Sequence, residues 1–295
     1  MIAVDWGSSN LRAYRLNGDG VILEHRNSNR GVLSCDGHFE TELARHIEGW
    51  NDDCLVLCGM IGSRGGWIEV PYIECPGGEG EIAAGLLRIA TRSGAFGRRA
   101  LWIVPGMIDR SSSPVADVMR GEESQVIGTL DQLDDSGHCI CLPGTHSKWV
   151  QVRDGRIAAI RTAMTGESYA LFRNQSVLAR LMSKEEPSFH AAAFEAGLHR
   201  SGDPGGLLHH LFGVRTMGLT GQLSEMQSPS YLSGLLIGHE IREQTPHPTC
   251  VHLIGNARLQ ASYAHALAVF GIEVRRHSEE LAAAGLHRLA VAAGL

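Results

Sequence analysis

Ile2-Ala3-Val4-Asp5-Trp6-Gly7-Ser8-Ser9-Asn10-Leu11-Arg12-Ala13-Tyr14-Arg15-Leu16-Asn17-Gly18-Asp19-Gly20 opens the chain, and the fold is read from its punctuation. Ile2–Asp5 is a short apolar strand, Gly7–Asn10 a tight turn, and Leu11–Leu16 a second strand. Asn17–Gly20 carries the hairpin residues that send Val21–His25 back as a third strand. The pattern recurs further on: strand Ile140–Leu142, turn Gly144-Thr145-His146-Ser147, strand Lys148–Val152, turn Asp154-Gly155, strand Ile157–Ile160. Gly144 follows Gly7, and Asp154 follows Asn17, at one offset of 137 residues. Two unrelated β-meanders could share one such turn. Sharing both at one offset points to an internal duplication.

Each meander continues in a similar way. The first leads to a helix over Phe39–Trp50 and strands at Cys54–Cys58 and Leu101–Val104. The second leads to helices around Ser168–Met182, His190–Arg200 and Leu207–Phe212, then strand Cys250–Ile254, helix Ala257–Val269, strand Ile272–Arg275 and a last helix near Ser278–Ala292. Leu171, Leu178 and Leu181 stand at core spacing within the first of those helices. The expected architecture is α/β, a duplicated mixed sheet with a cleft between the copies, divided as residues 1–130 and 131–295.

Composition narrows the function. A chain of 295 residues with 43% hydrophobic residues is an ordinary globular protein, and a net charge of -6 leaves no basic footprint for nucleic acid. The chain enters a strand at once, without a charged and then apolar leader, and no window approaches a membrane span; export and membrane insertion are not expected. Seven cysteines, spread through apolar segments, read as reduced cytoplasmic thiols. Cys139 and Cys141 share a strand face, yet no second Cys or His pair stands at zinc-finger spacing. His209-His210, inside the Leu-rich Leu207–Phe212, read as helix-surface histidines.

The chemistry is expected in the turns. Asp5 ends the first strand and could hold Mg²⁺, while Gly7, Ser8, Ser9 and Asn10 offer donors to phosphate oxygens. Gly144, Thr145, His146, Ser147 and Lys148 form the equivalent turn, and two such turns could clamp a triphosphate. Either turn alone could equally be an ordinary β-turn. Gly255-Asn256, between a strand and a helix, suits a nucleotide at a helix N-terminus or is a plain βα turn. Glu122 and Glu123, after Arg120-Gly121, read as a general base or as acids placed for the helix dipole. Gly59–Trp67 reads as a sugar-wrapping loop, with Gly62 and Ser63 in it, Arg64 for a carboxylate and Trp67 as an apolar wall, or as a flexible connection. No Walker loop and no G-x-S-x-G elbow occurs.

These stretches, with Asp5–Arg12, Cys58–Ser63, Gly66-Trp67, Asp117–Glu123, Leu142–Lys148, Thr165-Gly166-Glu167 and Tyr231–Glu240, resemble the 2-dehydro-3-deoxygalactonokinases over essentially the whole chain. The resemblance implies duplicated ribonuclease H-like (actin-like ATPase) domains flanking a nucleotide and substrate cleft. It implies ATP, with Mg²⁺, phosphorylating the 6-hydroxyl of 2-dehydro-3-deoxy-D-galactonate. It also implies that Asp5–Asn10 and Gly144–Lys148 are the two phosphate loops and Gly255-Asn256 the adenosine motif. Thr165, Gly166 and Glu167 join the substrate-binding candidates. The carboxylate anchor stays open among Arg12, Arg64, Arg120 and Arg161. The Gly-Glu-Glu stretch also resembles the place where exopolyphosphatases carry a catalytic Glu, so Glu122 is the first choice of base, with Glu123 behind it.

Two rivals share the fold: a phosphohydrolase acting on ATP or polyphosphate, and a non-catalytic actin-class assembly protein. A kinase for a related sugar acid is a third alternative. The expected partner is a small sugar acid, with a homodimer as a further candidate assembly.

Overall fold

The computed structural model describes residues 1–91, 94–134, 136–244 and 247–295. The first copy runs β1 (Ile2–Trp6), β2 (Leu11–Leu16), β3 (Ile22–Ser28), α1 (Phe39–His46) and β4 (Cys54–Cys58). Short pieces follow: β5 (Ile73–Glu74), β6 (Gly77–Gly78), α2 (Glu79–Ala84) and β7 (Leu87–Ile89). Then come β8 (Ala100–Ile103), β9 (Met107–Asp109), β10 (Asp117–Met119) and α3 (Glu122–Thr129). The second copy opens with β11 (His138–Leu142), β12 (Ser147–Arg153), β13 (Arg156–Ala163) and α4 (Thr165–Gln175). α5 (Ala191–Arg200), α6 (Gly206–Leu219) and α7 (Ser228–Arg242) precede β14 (Cys250–Ile254), α8 (Ala257–Val269), β15 (Glu273–His277) and α9 (Leu281–Ala292).

The duplication is visible in strand order. One sheet runs β3-β2-β1-β4-β8-β7 and another β15-β14-β11-β12-β13-β6. Position for position, β3-β2-β1-β4-β8 and β13-β12-β11-β14-β15 are the same arrangement. The two hairpins are closed differently. Asp154 and Gly155 alone join β12 to β13, both with positive φ (51° and 67°), which matches the twist of the strands. The first loop is longer, and Asn17 Oδ1 holds it by accepting from the N–H groups of Asp19 (3.0 Å) and Val21 (2.9 Å).

By contact density the chain forms two units. The first comprises residues 1–140, 150–161 and 277–295, so that α9 returns to it and packs on α3. Its core gathers Ile2, Val4, Trp6, Leu43, Leu55, Leu57 and Leu101, all buried. The second comprises residues 141–149 and 162–276, with Leu178, Val214, Tyr231, Leu232 and Leu235 in its core. Burial of each large side chain is worth about 2 kcal/mol, and this apolar area holds each unit together. Among the described residues no helix is long and apolar enough to cross a membrane.

Two expectations are corrected. The helix expected over Ser168–Met182 ends at Gln175, because Ser176 is extended and its hydroxyl accepts from Leu178 N (3.0 Å) to start a short 3-10 turn. Leu171 is consequently 43% exposed, while Leu178 stays in the core. His210 is not a surface histidine: it is fully buried, with Nδ1 3.0 Å from His239 Nε2.

Asp109 anchors β9 to β13 in the first unit. Its carboxylate accepts from the N–H groups of Ile160, Ser111 and Ser112 at 2.9–3.0 Å, and these bonds outweigh burial, drawing its pKa down to about 2. A depressed carboxylate stabilises above its unfolded pKa and loses that contribution as pH falls toward the folded value. Asp109→Asn is therefore expected to lose about 2 kcal/mol at neutral pH and to flatten the acid limb between about pH 4 and pH 2, read by urea unfolding.

Candidate active site

In the first unit, β-sheet register gathers an acidic cluster. Asp5 at the end of β1 lies opposite Arg12 of β2 and Cys58 of β4. Arg12 bridges two acids, Nη1 to Asp5 Oδ2 at 3.4 Å and Nη2 to Glu279 Oε2 at 2.8 Å. Burial raises the Asp5 carboxyl, and the Arg12 charge opposes that. Cys58 Sγ lies 4.0 Å from Asp5 Oδ1, and burial pushes its thiol far up, so it stays S–H. The next residue, Gly59, has φ +92°, and a Cβ there would come 2.7 Å from Trp6 O. Only glycine allows the chain to turn this close behind Asp5.

The Glu pair begins α3. Half-buried Glu122 accepts from Arg120 N at 3.0 Å, and fully buried Glu123 accepts from Gly121 N at 2.7 Å. Burial, reinforced by the neighbouring Glu122 charge, pushes Glu123 up to about 8. Glu123 is thus a protonated acid at neutral pH, and Glu122 is the member of the pair with exposed surface. Arg120 is 8% exposed, stacks on Tyr72 (4.4 Å to the ring centre) and donates from Nη2 to Val70 O at 2.7 Å. Its Nε and Nη1 are buried without a hydrogen-bond partner among the described residues.

The Gly59–Trp67 segment is tightly tied rather than loose. Gly62 N, Gly66 N and Trp67 N donate to Gly59 O, Ser63 O and Ile61 O at 2.8–3.1 Å. Ser63 spends its hydroxyl on Met60 O (2.7 Å), and Arg64 is exposed. Gly62 is buried beside Arg120, where a Cβ would lie 3.1 Å from Nη1. Trp67 lines a different place, a cavity of 600 Å³ walled by Phe39, Ile68 and Ile89.

The two turns repeat in detail. Gly7 N donates to Asn10 O (2.9 Å), and the first turn is backed by Gly31, whose Cβ would collide with the Ser8 and Ser9 backbone. Gly166 backs the second turn the same way, where a Cβ would collide with Gly144 O and lie 2.9 Å from Thr145 Cα, and Glu167 N donates to Thr145 O at 2.9 Å. Ser9, Asn10, Thr145 and His146 are exposed, and His146 Nε2 meets Glu167 Oε2 at 2.5 Å. Ser147 and Lys148 point inward: Ser147 is fully buried on Tyr263 OH (2.7 Å), and Lys148 Nζ donates to Thr162 Oγ1 (2.9 Å).

Within the second unit α4, α7 and α8 surround a cavity of 660 Å³. Gly144, Thr165, Gly166 and Asn256 lie on its wall, so the second turn opens onto it along with the first turns of α4 and α8. Helix N-termini favour anions, and the volume is that of a small-molecule site. Asn256 caps α8 by accepting from Leu259 N at 2.9 Å. Leu236, Ile237 and Phe189 make the apolar wall; Arg258 pairs with Glu186 at 2.5 Å, and Arg173 Nε is buried without a partner among the described residues. Glu279, Tyr169, Arg173, Glu186 and Arg258 escaped the sequence reading, since no local motif marks them. Among the described residues no cluster of three or more His, Cys, Asp or Glu could hold a metal by itself.

A repeated strand order with paired turns defines an actin-like ATPase fold. The same fold occurs in component A of the Acidaminococcus fermentans (R)-2-hydroxyglutaryl-CoA dehydratase, TM-score 0.52 at 11% identity over 99% of this chain and 98% of that one. Closer relatives decide the family. The 2-keto-3-deoxy-galactonokinase profile matches residues 5–289. The Escherichia coli K12 2-dehydro-3-deoxygalactonokinase is 36% identical over 279 residues, covering 92% of this chain and 91% of that protein. A crystal structure of a Sinorhizobium meliloti protein, described as a candidate 2-dehydro-3-deoxygalactonokinase, superposes at TM-score 0.88 with 33% identity, covering 98% of this chain and 97% of that one. The chain belongs to the 2-dehydro-3-deoxygalactonokinase family and is a carbohydrate kinase whose phosphate donor is ATP.

Because Glu123 is raised, the folded state binds its proton more tightly than the unfolded chain, and stability falls as pH rises from about 4.5 to about 8. Glu123→Gln, neutral throughout, is expected to remove that fall. Urea midpoints at pH 5 and pH 9 should lie closer together in the variant than in the native protein.

Proposed function

We propose that this chain transfers the γ-phosphoryl group of ATP to the 6-hydroxyl of 2-dehydro-3-deoxy-D-galactonate in the cytoplasm. The observation that carries the nucleotide half is the 660 Å³ cavity, onto which one phosphate turn and two helix N-termini open. In this reading adenosine sits against Ile237, Leu236 and Asn256. The backbone N–H groups of Ser8–Asn10 in the first unit and of Gly144–His146 in the second are each proposed donors to phosphate oxygens; Gly7 N is already spent on Asn10 O. Ser147 and Lys148 support the second turn from inside rather than touching phosphate, consistent with their burial. Residues 1–130 and 131–295 are proposed as the two copies.

Asp5 is the proposed anchor for Mg²⁺. One carboxylate beside phosphate oxygens suits an ion that keeps several waters, and Asp5 is already balanced against the Arg12 cation. The ion would offset charge on the β- and γ-phosphates. Glu122 is the proposed base: its carboxylate is half-buried and starts the same turn as the protonated Glu123, which is unsuited to accept a proton at neutral pH. Most of the rate enhancement in phosphoryl transfer is positioning and charge stabilisation, so no covalent protein group is required.

Among the arginines weighed for the substrate carboxylate, Arg12 is engaged by Asp5 and Glu279, whereas Arg120 has two buried donors without an acceptor. The substrate carboxylate is proposed to supply one. Coupled ADP release with purified protein, MgATP and 2-dehydro-3-deoxy-D-galactonate should exceed both its gluconate epimer and a no-sugar blank. Equal release in the blank would favour hydrolysis. Arg120→Lys should raise KM for the sugar acid by about 30-fold, a loss of about 2 kcal/mol, with KM for MgATP unchanged. An unchanged sugar-acid KM would assign the carboxylate to another residue.

A further inference from the structure

Glu240, near the end of α7, is absent from the cavity wall and from the turns, yet it touches the groups that shape both. It is 5% exposed. Oε1 accepts from Trp149 Nε1 at 2.7 Å, and Oε2 accepts from Tyr263 OH at 2.7 Å and from the Thr165 hydroxyl. Thr165 begins α4, Tyr263 lies on α8, and Trp149 lies on β12 directly after the second turn. Thr165 and Tyr263 also line the 660 Å³ cavity. One buried carboxylate therefore ties three elements from behind.

Proton counting gives the network a direction. An indole N–H can only donate, so Oε1 must accept. The phenol has one proton and gives it to Oε2, so the 2.7 Å contact between Tyr263 OH and Ser147 Oγ is a bond donated by serine. The chain runs Ser147 to Tyr263 to Glu240. It holds the hydroxyl of the second turn inward and leaves the backbone of Gly144–His146 as the turn's ligand-facing part. Buried networks of this kind specify geometry when every member is satisfied.

We propose that Glu240 is a positioning residue for nucleotide: as a hydrogen-bond acceptor it sets the second phosphate turn, the α4 N-terminus and the Tyr263 wall in their binding geometry. This rests on the nucleotide reading of the cavity. The chain's own residues give the test. In Glu240→Gln the amide oxygen must face Trp149, which places the NH₂ group on Thr165 and Tyr263 and reverses both bonds. The side chain keeps its volume and the site its packing. Tyr263→Phe removes the Tyr263–Glu240 bond together with the contact to Ser147, and leaves Trp149 and Thr165 on Glu240.

The experiment measures KM for MgATP and for the sugar acid, thermal midpoints, and binding of a non-hydrolysable ATP analogue by calorimetry. Glu240→Gln is expected to raise KM for MgATP and the analogue Kd about tenfold, with sugar-acid KM within about twofold and the thermal midpoint nearly native. Tyr263→Phe should shift in the same direction by less, and the double variant should be no worse than Glu240→Gln alone, because both act through one chain of bonds. Native nucleotide parameters in Glu240→Gln would overturn the proposal, as would a parallel rise in both KM values with a collapsed midpoint, which marks plain destabilisation. Native protein that fails to bind the analogue would instead overturn the nucleotide reading of the cavity.

Discussion

In both copies a glycine from the segment after the third strand lies flat on the back of the turn that follows the first. Gly31 presses on Ser8 and Ser9, and Gly166 on Gly144 and Thr145. A turn that binds an anion through backbone N–H groups has to be supported without consuming those groups, and a side chain behind it would push it forward. Support by bare backbone meets both demands. The bonds on this rear face run into turn carbonyls, from Val32 N to Gly7 O, Leu33 N to Ser8 O and Glu167 N to Thr145 O, so the support draws on the turns' acceptors and not on their N–H groups.

The copies have diverged in what surrounds the turn. The first unit collects acids: Asp5 and Glu279 balanced by Arg12, then Glu122 and Glu123 at the head of α3. Burial and the neighbouring Glu122 charge raise Glu123 to about 8, so Glu123 holds its proton at neutral pH. The second copy has few charges at its turn and invests in a cavity with apolar walls, helix N-termini and neutral donors converging on Glu240. A duplicated fold lets its two copies take different surroundings for the same turn.

Much of this was legible in the sequence because the signals were local. Asp154-Gly155 marks its hairpin through positive φ, Asn17 marks the other by accepting from Asp19 N and Val21 N, and Asp5 and Gly144 announce strand ends by residue type. The repeated meander indicated a duplicated mixed sheet. Other features depended on contacts between distant residues. Ser147 and Lys148 carry donors in a turn that begs for phosphate, yet Tyr263 and Thr162 capture them. Glu240 stands 91 residues from Trp149 and 75 from Thr165, and Glu279 meets Arg12 from the far end of the chain. Helical periodicity also overreached at Leu171, because a single serine hydroxyl at Ser176 ended α4 before the pattern did.

The claim underneath the whole account is that both turns hold phosphate through their backbone N–H groups. Amide hydrogen exchange at residues 8–10 and 144–146, with and without a non-hydrolysable MgATP analogue, reads those groups directly. The account predicts that exchange slows in both turns on adding nucleotide, while the hairpin at Asp154-Gly155 is unaffected. Protection of neither turn, or protection spread evenly over the chain, would contradict it.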